Sequence, residues 1–189
     1  ASSARCSCEM SRSTRAARRA TPIARSAENA RLAGTAGLRR DGRHPYEIPL
    51  GASTPLGALG FARAIGELVL QGVVPDVIVH STSSGGTQAG LVAGCALHGL
   101  PTRVVGISAD DPAASIAATV REILTGMGGL LGIDGAALAG ACPIDIDDGH
   151  VGGGYGVASA DSCEAVDLLA RHEALFVDYT YTAKALAGL

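Results

Sequence analysis

The sequence predicts an α/β protein in which helices flank a parallel sheet. Two short, mostly apolar strands, residues 75–80 and 103–108, alternate with segments in which apolar residues recur at helical spacing. Strands of this kind are typical of parallel sheets that are covered on both faces and joined by right-handed crossovers. A chain of 189 residues, 47% of them hydrophobic, is long enough for one domain with its own core.

The start of the chain differs in charge from the rest. Residues 1–43 carry ten arginines and three acids, whereas residues 44–189 carry five basic and fifteen acidic residues. We expect residues 1–39 to be a separate segment, disordered or not native to the domain, with a weak helical pattern from about Glu28 to Arg40. Such a composition also occurs in organellar transit peptides and in basic arms that bind nucleic acid, but neither function is preferred.

Cysteine usage and aromatic content narrow the class of protein further. Five cysteines show neither the spacing of a zinc site nor that of a disulfide framework, which favours reduced thiols and no bound metal. Aromatic residues make up only 3%, which argues against nucleic-acid binding by stacking. No apolar run is long enough to cross a membrane. We therefore expect a soluble, cytoplasmic protein that binds neither nucleic acid nor membrane.

The helix with the clearest start signal follows a short extended segment at residues 45–50. Ser53 or Thr54 supplies an N-terminal hydroxyl cap and Pro55 occupies the first turn, so we predict a helix to about Gln71. Its predicted buried stripe comprises Leu56, Leu59, Ala62, Ile65, Leu68 and Val69.

The first strand leads into a glycine-rich turn at residues 83–90, and the next helix is predicted from Thr87 to Gly99. The adjacent Gly85 and Gly86 allow a sharp turn and a close approach to a ligand, and free N–H groups of a first helical turn attract anions. The turn therefore predicts a phosphate site. Because many such turns bind nothing, the prediction depends on the rest of the chain.

The rest of the chain continues the alternation. We expect a helix that Asp110, Asp111 and Pro112 open and that runs through Leu124, followed by a loop with a short helix over 126–140. Residues 145–150 are expected to form a polar surface loop, because their spacing does not fit a calcium loop. A glycine cluster around Tyr155 precedes a helix that begins near Ser159 and ends near His172, with Cys163, Val166, Leu169 and Ala170 as its stripe. Residues 174–178 are predicted as a third buried strand, residues 179–182 as its exit loop, and a last helix opens at Ala183.

Three separated segments carry a family resemblance. They are PYEIPLGASTPLG at residues 45–57, SGGTQAG at residues 84–90, and Gly154-Tyr155-Gly156 together with Tyr181-Thr182-Ala183-Lys184. In this order and spacing they resemble the D-cysteine desulfhydrase and 1-aminocyclopropane-1-carboxylate (ACC) deaminase family, from about Arg40 to Leu189. The resemblance implies an incomplete fold of the tryptophan-synthase-β type (fold type II) and pyridoxal 5'-phosphate as the cofactor.

The resemblance also implies site residues. Tyr155 and Tyr181 would be catalytic, Thr182 would lie near the pyridine nitrogen, and the cofactor phosphate would be bound by Ser84, Gly85, Gly86, Thr87 and Gly90. Threonine at position 182 is typical of the desulfhydrases and glutamate of the deaminases, which favours β-elimination from D-cysteine to pyruvate, ammonia and sulfide. ACC ring opening to 2-oxobutanoate and ammonia, or a cysteate sulfo-lyase, are the alternatives. A small amino acid would be the substrate, and the full-length enzyme would be a homo-oligomer.

The three matching segments do not include the lysine to which the family's cofactor is covalently attached. In the family the lysine that binds the cofactor lies in the N-terminal half. The only lysine of this chain is Lys184, which matches a family lysine without that role. We expect Lys184 to open a helix at the surface. We therefore expect the C-terminal part of a longer enzyme, inactive alone, with a gene fragment, a frame error or a fusion explaining residues 1–39. A phosphate- or nucleotide-binding α/β module, or an inactive remnant with exposed apolar surface where a domain is absent, are the other hypotheses.

Overall fold

The computed structural model describes residues 22–189, apart from the side chains of residues 22–29 and 31. It divides into two compact units, of which one includes residues 22–52 and the other runs over Ser53–Leu189. In the first unit, helix α1 spans Pro22–Arg40, and irregular chain leads to a short 3-10 turn at Leu50–Ala52. The helix begins earlier than the pattern from Glu28 predicted, and the disorder predicted for residues 1–21 lies outside the described residues. The boundary between residues 39 and 40 stays a prediction.

The second unit contains a parallel sheet of three strands in the order β1-β2-β3, flanked by helices. This confirms the predicted α/β class. Its elements in chain order are α2 (Pro55–Leu70), β1 (Val77–Thr82), α3 (Gly86–Leu97), β2 (Arg103–Ser108), α4 (Ala113–Leu131), α5 (Gly135–Ala141), β3 (Asp145–Asp147), α6 (Ala160–His172) and α7 (Thr182–Ala187).

The core lies where α2, α3 and α4 pack on one face of the sheet. Helices α2 and α3 approach closely because α3 presents glycines to α2: a Cβ on Gly94 would lie 2.8 Å from Ile65 Cβ, and one on Gly90 would overlap the carbonyl of Ala58. The buried apolar residues of this core include Ala62, Val92, Val104, Ile116, Val120, Leu124 and Met127.

The start of α2 and the bounds of β2 are confirmed, but the predicted stripe of α2 is wrong at its beginning. Leu56 is 59% exposed, and Ala58 is buried in its place. The buried stripe of α2 is shifted because α2 lies close to the small residues of α3, where alanine fits and leucine does not.

Helix α4 extends to Leu131, beyond the end predicted at Leu124. The glycines that suggested a loop are contact points, because a Cβ on Gly126 would overlap Pro55 and one on Gly128 would overlap Gly135. Close packing between elements thus holds in a helix a segment whose composition is unfavourable for one.

Two predictions about the sheet are wrong. The expected surface loop begins with strand β3, which pairs with β2 and is held there by an ion pair of 2.6 Å between Arg103 and Asp145. The strand expected at residues 174–178 does not form. Ala174 has a positive φ of 55°, and the N–H of Leu175 donates to the Leu169 carbonyl over 3.3 Å, so these residues terminate α6 in a tight C-terminal turn.

Helices flank the sheet as predicted, but they cover its second face only in part. Side chains of Val77, Val79, Val105 and Ile107 face an open groove of about 660 Å³. The short helix α7 covers only the end of this face, where Gly188 contacts Ile107. An exposed apolar face of this kind is typical of surfaces that pack against another domain or another chain.

Candidate functional site

The candidate segments lie at the carboxyl end of the parallel sheet. Residues 83–86 follow β1, residues 109–111 follow β2, the turn with Tyr155 follows β3, and Tyr181 immediately precedes α7. Open α/β sheets bind ligands at this edge because the exit loops of neighbouring strands converge there.

The glycine-rich turn forms the N-terminal cap of α3. Gly85 has a φ of 80°, which favours glycine, and a Cβ on Gly86 would lie 2.7 Å from Ser53 Oγ. The N–H of Ala89 donates to the Gly85 carbonyl over 2.9 Å and begins the helical hydrogen bonds. The amides of Gly86 and Thr87 precede that bond, and they lie at the positive end of the helix dipole.

Ser53 adds a hydroxyl to this turn that the predicted set of site residues did not contain. Its hydroxyl donates to Ser84 Oγ over 2.6 Å and accepts from the Gly86 N–H over 3.2 Å. It is free to do so because Thr54 is the residue that caps α2, accepting from the Gly57 N–H over 3.0 Å. The signal that could have identified Ser53 was its place in the segment at residues 45–57.

The phosphate role of Ser84, Gly85, Gly86, Thr87 and Gly90 stays a prediction. The structure places Ser84 to Thr87 around the start of α3, where an anion would be bound. Gly90 lies one turn further along α3, and its close contact with α2 gives it a packing role.

Tyr155 and Tyr181, predicted from separate parts of the chain, are in contact. The Tyr181 hydroxyl donates to the Tyr155 hydroxyl over 2.9 Å, and the rings meet edge to face at 75° with centroids 5.7 Å apart. Burial raises the pKa of Tyr181, as do the hydrogen bond to Tyr155 and the negative charges of Asp110 and Asp178. Tyr181 therefore remains a protonated phenol at neutral pH.

Asp178 holds the turn that carries Tyr181. Its carboxylate accepts from the N–H groups of Thr180 over 2.8 Å, Tyr181 over 2.6 Å and Thr182 over 3.1 Å. Burial acts to raise the pKa of Asp178, but these hydrogen bonds, together with one from the Thr182 side chain, outweigh it and lower the pKa. The exposed Thr182 is thus tied to Asp178, and its role near the pyridine nitrogen stays a prediction.

Asp110, at the exit of β2, connects the two parts of the candidate site. It accepts a hydrogen bond from Ser83 Oγ over 2.9 Å, next to the glycine-rich turn. It also acts electrostatically on Tyr181. The predicted phosphate turn and the tyrosine pair therefore share one neighbour at the same edge of the sheet.

Lys184 is fully buried, so its predicted position at the surface is wrong. Its ammonium donates to the carbonyls of Ala109 over 2.8 Å, Val151 over 2.9 Å and Gly154 over 2.8 Å. The surface prediction failed because the six residues of α7 pack between α6 and the strands β1 and β2. Their sequence gives no stripe from which this orientation could be deduced.

A buried polar network lies beneath the turn. Gln88 donates to the carbonyls of Val104 over 3.3 Å and Asp145 over 3.2 Å, and its oxygen contacts His80 Nε2. It fits because a Cβ on Gly106 would overlap its side chain. Gln88 thereby joins α3 to all three strands and fixes the start of α3 relative to the sheet.

Within residues 22–189, no cluster of three or more His, Cys, Asp or Glu side chains could hold a metal ion. No helix of the described chain is both long and apolar enough to cross a membrane.

Comparison with known proteins identifies relatives over most of the chain. Residues 13–189 match the family model described as "Pyridoxal-phosphate dependent enzyme". A putative ACC deaminase of Pyrococcus furiosus is 35% identical over 156 residues, which are 80% of this chain and 46% of the relative. A D-cysteine desulfhydrase of Salmonella typhi is 34% identical over 156 residues, with the same coverage of 80% and 46%. The crystal structure of an ACC deaminase homologue matches with a TM-score of 0.74 and 28% identity, over 91% of this chain and 50% of that one.

These matches confirm the predicted fold and cofactor class. The family match begins at residue 13, within the segment that its charge sets apart. The chain spans about half the length of the curated relatives it matches. The chain therefore belongs to the pyridoxal-phosphate-dependent enzymes, and the relatives that it resembles are named ACC deaminase and D-cysteine desulfhydrase.

Proposed function

We propose that this chain forms the C-terminal part of a pyridoxal-phosphate-dependent lyase that converts D-cysteine to pyruvate, ammonia and sulfide by β-elimination. The observation that carries the proposal is the contact between Tyr155 and Tyr181 at the sheet edge that also holds the glycine-rich turn. When bound, pyridoxal phosphate supplies an electron sink for charge at the substrate Cα.

The start of α3 fits the cofactor phosphate. The amides of Gly86 and Thr87 and the hydroxyls of Ser53, Ser84 and Thr87 would surround an anion at the positive end of the helix dipole. Ser53 Oγ already accepts from the Gly86 amide, which shows that an oxygen fits at that position. Gly86 is required there because a side chain would displace that oxygen.

The tyrosine pair would bind the leaving group. Burial raises the pKa of Tyr181, so its hydroxyl stays protonated at neutral pH and acts as a hydrogen-bond donor. The Tyr155 hydroxyl accepts from Tyr181 and would donate its own proton in a hydrogen bond to the substrate. Together they would stabilise the sulfur leaving group by hydrogen bonding as it departs as hydrosulfide.

Thr182 supports the D-cysteine reaction over the ACC reaction, because a hydroxyl cannot provide the fixed negative charge of a carboxylate beside the pyridine nitrogen. ACC deamination is the second candidate, since the Pyrococcus furiosus relative and the solved homologue carry that name. Cysteate is a further alternative substrate. A homo-oligomeric full-length enzyme and a cytoplasmic location are also part of the proposal; Cys95 and Cys142 are buried free thiols, which fits a reducing compartment.

The chain alone is expected to bind the cofactor without covalent attachment. Lys184 is its only lysine, and three carbonyls enclose the ammonium. The 189-residue chain would be incubated with pyridoxal phosphate, reduced with borohydride and analysed by mass spectrometry. Equilibrium dialysis would measure the binding of the cofactor. We expect saturable binding that inorganic phosphate competes away, and no stoichiometric adduct. An adduct at Lys184 would contradict the proposal.

The reaction itself is tested by joining this chain to the half of the Salmonella typhi D-cysteine desulfhydrase that it does not match. Pyruvate and sulfide formed from D-cysteine would support β-elimination, whereas 2-oxobutanoate formed from ACC would support the second candidate. Thr182→Glu is the specificity variant, and Thr125→Glu, at an exposed position of α4, is its control. A hybrid that folds and binds the cofactor but acts on neither substrate would refute both candidates.

A further inference from the structure

We propose that Lys184 is a positioning residue: its ammonium acts as a built-in cation that holds the backbone beside Tyr155 and the helix of Tyr181 at a fixed separation. The inference rests on the proposed function, because it concerns the two tyrosines that would hydrogen-bond to the leaving group. It assigns Lys184 no contact with substrate or cofactor.

The contacts of Lys184 join three parts of the site. One carbonyl belongs to Ala109, immediately after β2, and two belong to Val151 and Gly154, in the turn that leads to Tyr155. The lysine itself lies three residues after Tyr181, in the short helix α7 that Tyr181 immediately precedes. One side chain therefore connects the backbone next to each phenol.

Three backbone carbonyls enclose the ammonium of Lys184. An ammonium has three N–H donors, and three carbonyl oxygens at 2.8–2.9 Å use all of them. Lys184 is 0% exposed, and a buried ammonium persists only where such partners replace its lost hydration. Both turn carbonyls also accept backbone N–H groups, that of Val151 from Gly154 over 3.3 Å and that of Gly154 from Val157 over 3.2 Å, so the ammonium adds to the hydrogen bonds of the turn itself.

The turn cannot hold this shape through its own side chains. Gly154 has a φ of 122°, and positive φ also occurs at Gly152 and Gly156, so three of the six residues at 151–156 adopt conformations that mainly glycine tolerates. Such a segment loses much conformational entropy when it becomes ordered. Lys184 links this turn to α7, which begins directly after Tyr181, and the phenol oxygens of Tyr155 and Tyr181 lie 2.9 Å apart.

A direct test uses nitrogen-15 lysine, because a chain with one lysine gives one ammonium signal that needs no assignment. In the full chain at neutral pH we expect a charged ammonium whose hydrogens exchange slowly with water. A rapidly exchanging or neutral amine would overturn the proposal. This measurement requires no substitution and remains valid if variants fail to fold.

The second test separates positioning from stability. In a chain labelled at the tyrosine rings, the nuclear Overhauser contact between Tyr155 and Tyr181 is expected to disappear in Lys184→Met, which keeps the length and apolar stem but removes the charge. Met127→Ala, a core change in α4, is the control: it lowers the melting temperature and keeps the ring contact. If Lys184→Met also keeps the ring contact, the lysine is merely structural and the proposal fails.

Chemical rescue tests whether the positive charge of Lys184, and not its bulk, maintains the ring contact. Lys184→Ala leaves a space that matches propylammonium, so propylammonium should restore the ring contact while neutral propanol should not. Equal rescue by both compounds would contradict the cation role. Pyridoxal phosphate binding to the unsubstituted chain is measured in parallel, because failure of that binding would count against the proposed function while the lysine and ring signals still decide the role of Lys184.

Discussion

At the scale of single residues, two neighbouring hydroxyls take different tasks. Thr54 accepts from the Gly57 N–H and caps α2, while Ser53 bonds with Ser84 and Gly86 at the start of α3. Because each hydroxyl has its own partners, the stability of α2 and the affinity of the anion site are separable by substitution.

Ser53→Ala is expected to weaken pyridoxal phosphate binding by about tenfold, because the proposed phosphate site would lose one hydroxyl donor, and a hydrogen bond to a charged group has about this value. Thr54→Ala should leave binding unchanged and lower the free energy of unfolding by about 1 kcal/mol, the usual cost of losing a helix cap. Equilibrium dialysis and urea unfolding measure the two quantities. Loss of affinity in both variants alike would refute the separation of roles.

His80 predicts a pH dependence of stability. Burial lowers the pKa of His80 from 6.5, and the hydrogen bonds with Gln88 and Ser81 offset this only in part. The unfolded chain therefore binds the proton more readily, so stability is complete above about pH 6.5 and falls as the pH drops from there toward the lower pKa of the folded state. Urea unfolding between about pH 5 and 7 should show this slope, and His80→Gln should remove it. An unchanged slope in His80→Gln would assign the effect to another group.

At the scale of elements, the sequence predicted the helix starts that depend on hydrogen bonds between neighbouring residues. Thr54 and Ser159 cap their helices as expected because a cap depends on the next three residues alone. Strand β3 was missed because a three-residue strand is defined by its partner β2. The tyrosine pair was predicted through the family resemblance, whereas the burial of Lys184 depends on carbonyls 30 to 75 positions away.

The turn before α7 predicts a loss of site geometry when Asp178 is removed. The carboxylate binds three successive N–H groups, and its lowered pKa means that this contribution is present above about pH 4 and is lost as the pH falls through the folded-state pKa. Asp178→Ala should therefore abolish the ring contact between Tyr155 and Tyr181 at neutral pH. Asp167→Ala on exposed α6, which breaks only an ion pair with Arg171, is the control. A retained ring contact in Asp178→Ala would show that Lys184 alone orders the site.

At the scale of the whole molecule, the notable feature is the sheet face that helices cover only in part. The chain spans about half the length of those relatives, and one face of its sheet exposes valines where a packed domain would be covered. The outer edge of β1 lies beside this face with Val77 48% exposed. Unpaired strand edges next to apolar surface favour association between chains.

We therefore expect the isolated chain to self-associate through the groove, because burying apolar surface gains about 25 cal/mol for each Å² removed from water. Val77→Lys places a charge at the rim of the groove and should shift the chain toward monomer in analytical ultracentrifugation. Val73→Lys is the matched control, since Val73 is 46% exposed and lies outside the groove. A chain that stays monomeric at every concentration tested, or that responds equally to both substitutions, would show that the open face does not drive association. If Val77→Lys also prevents the hybrid with the desulfhydrase half from assembling, the same face carries the contact that completes the domain.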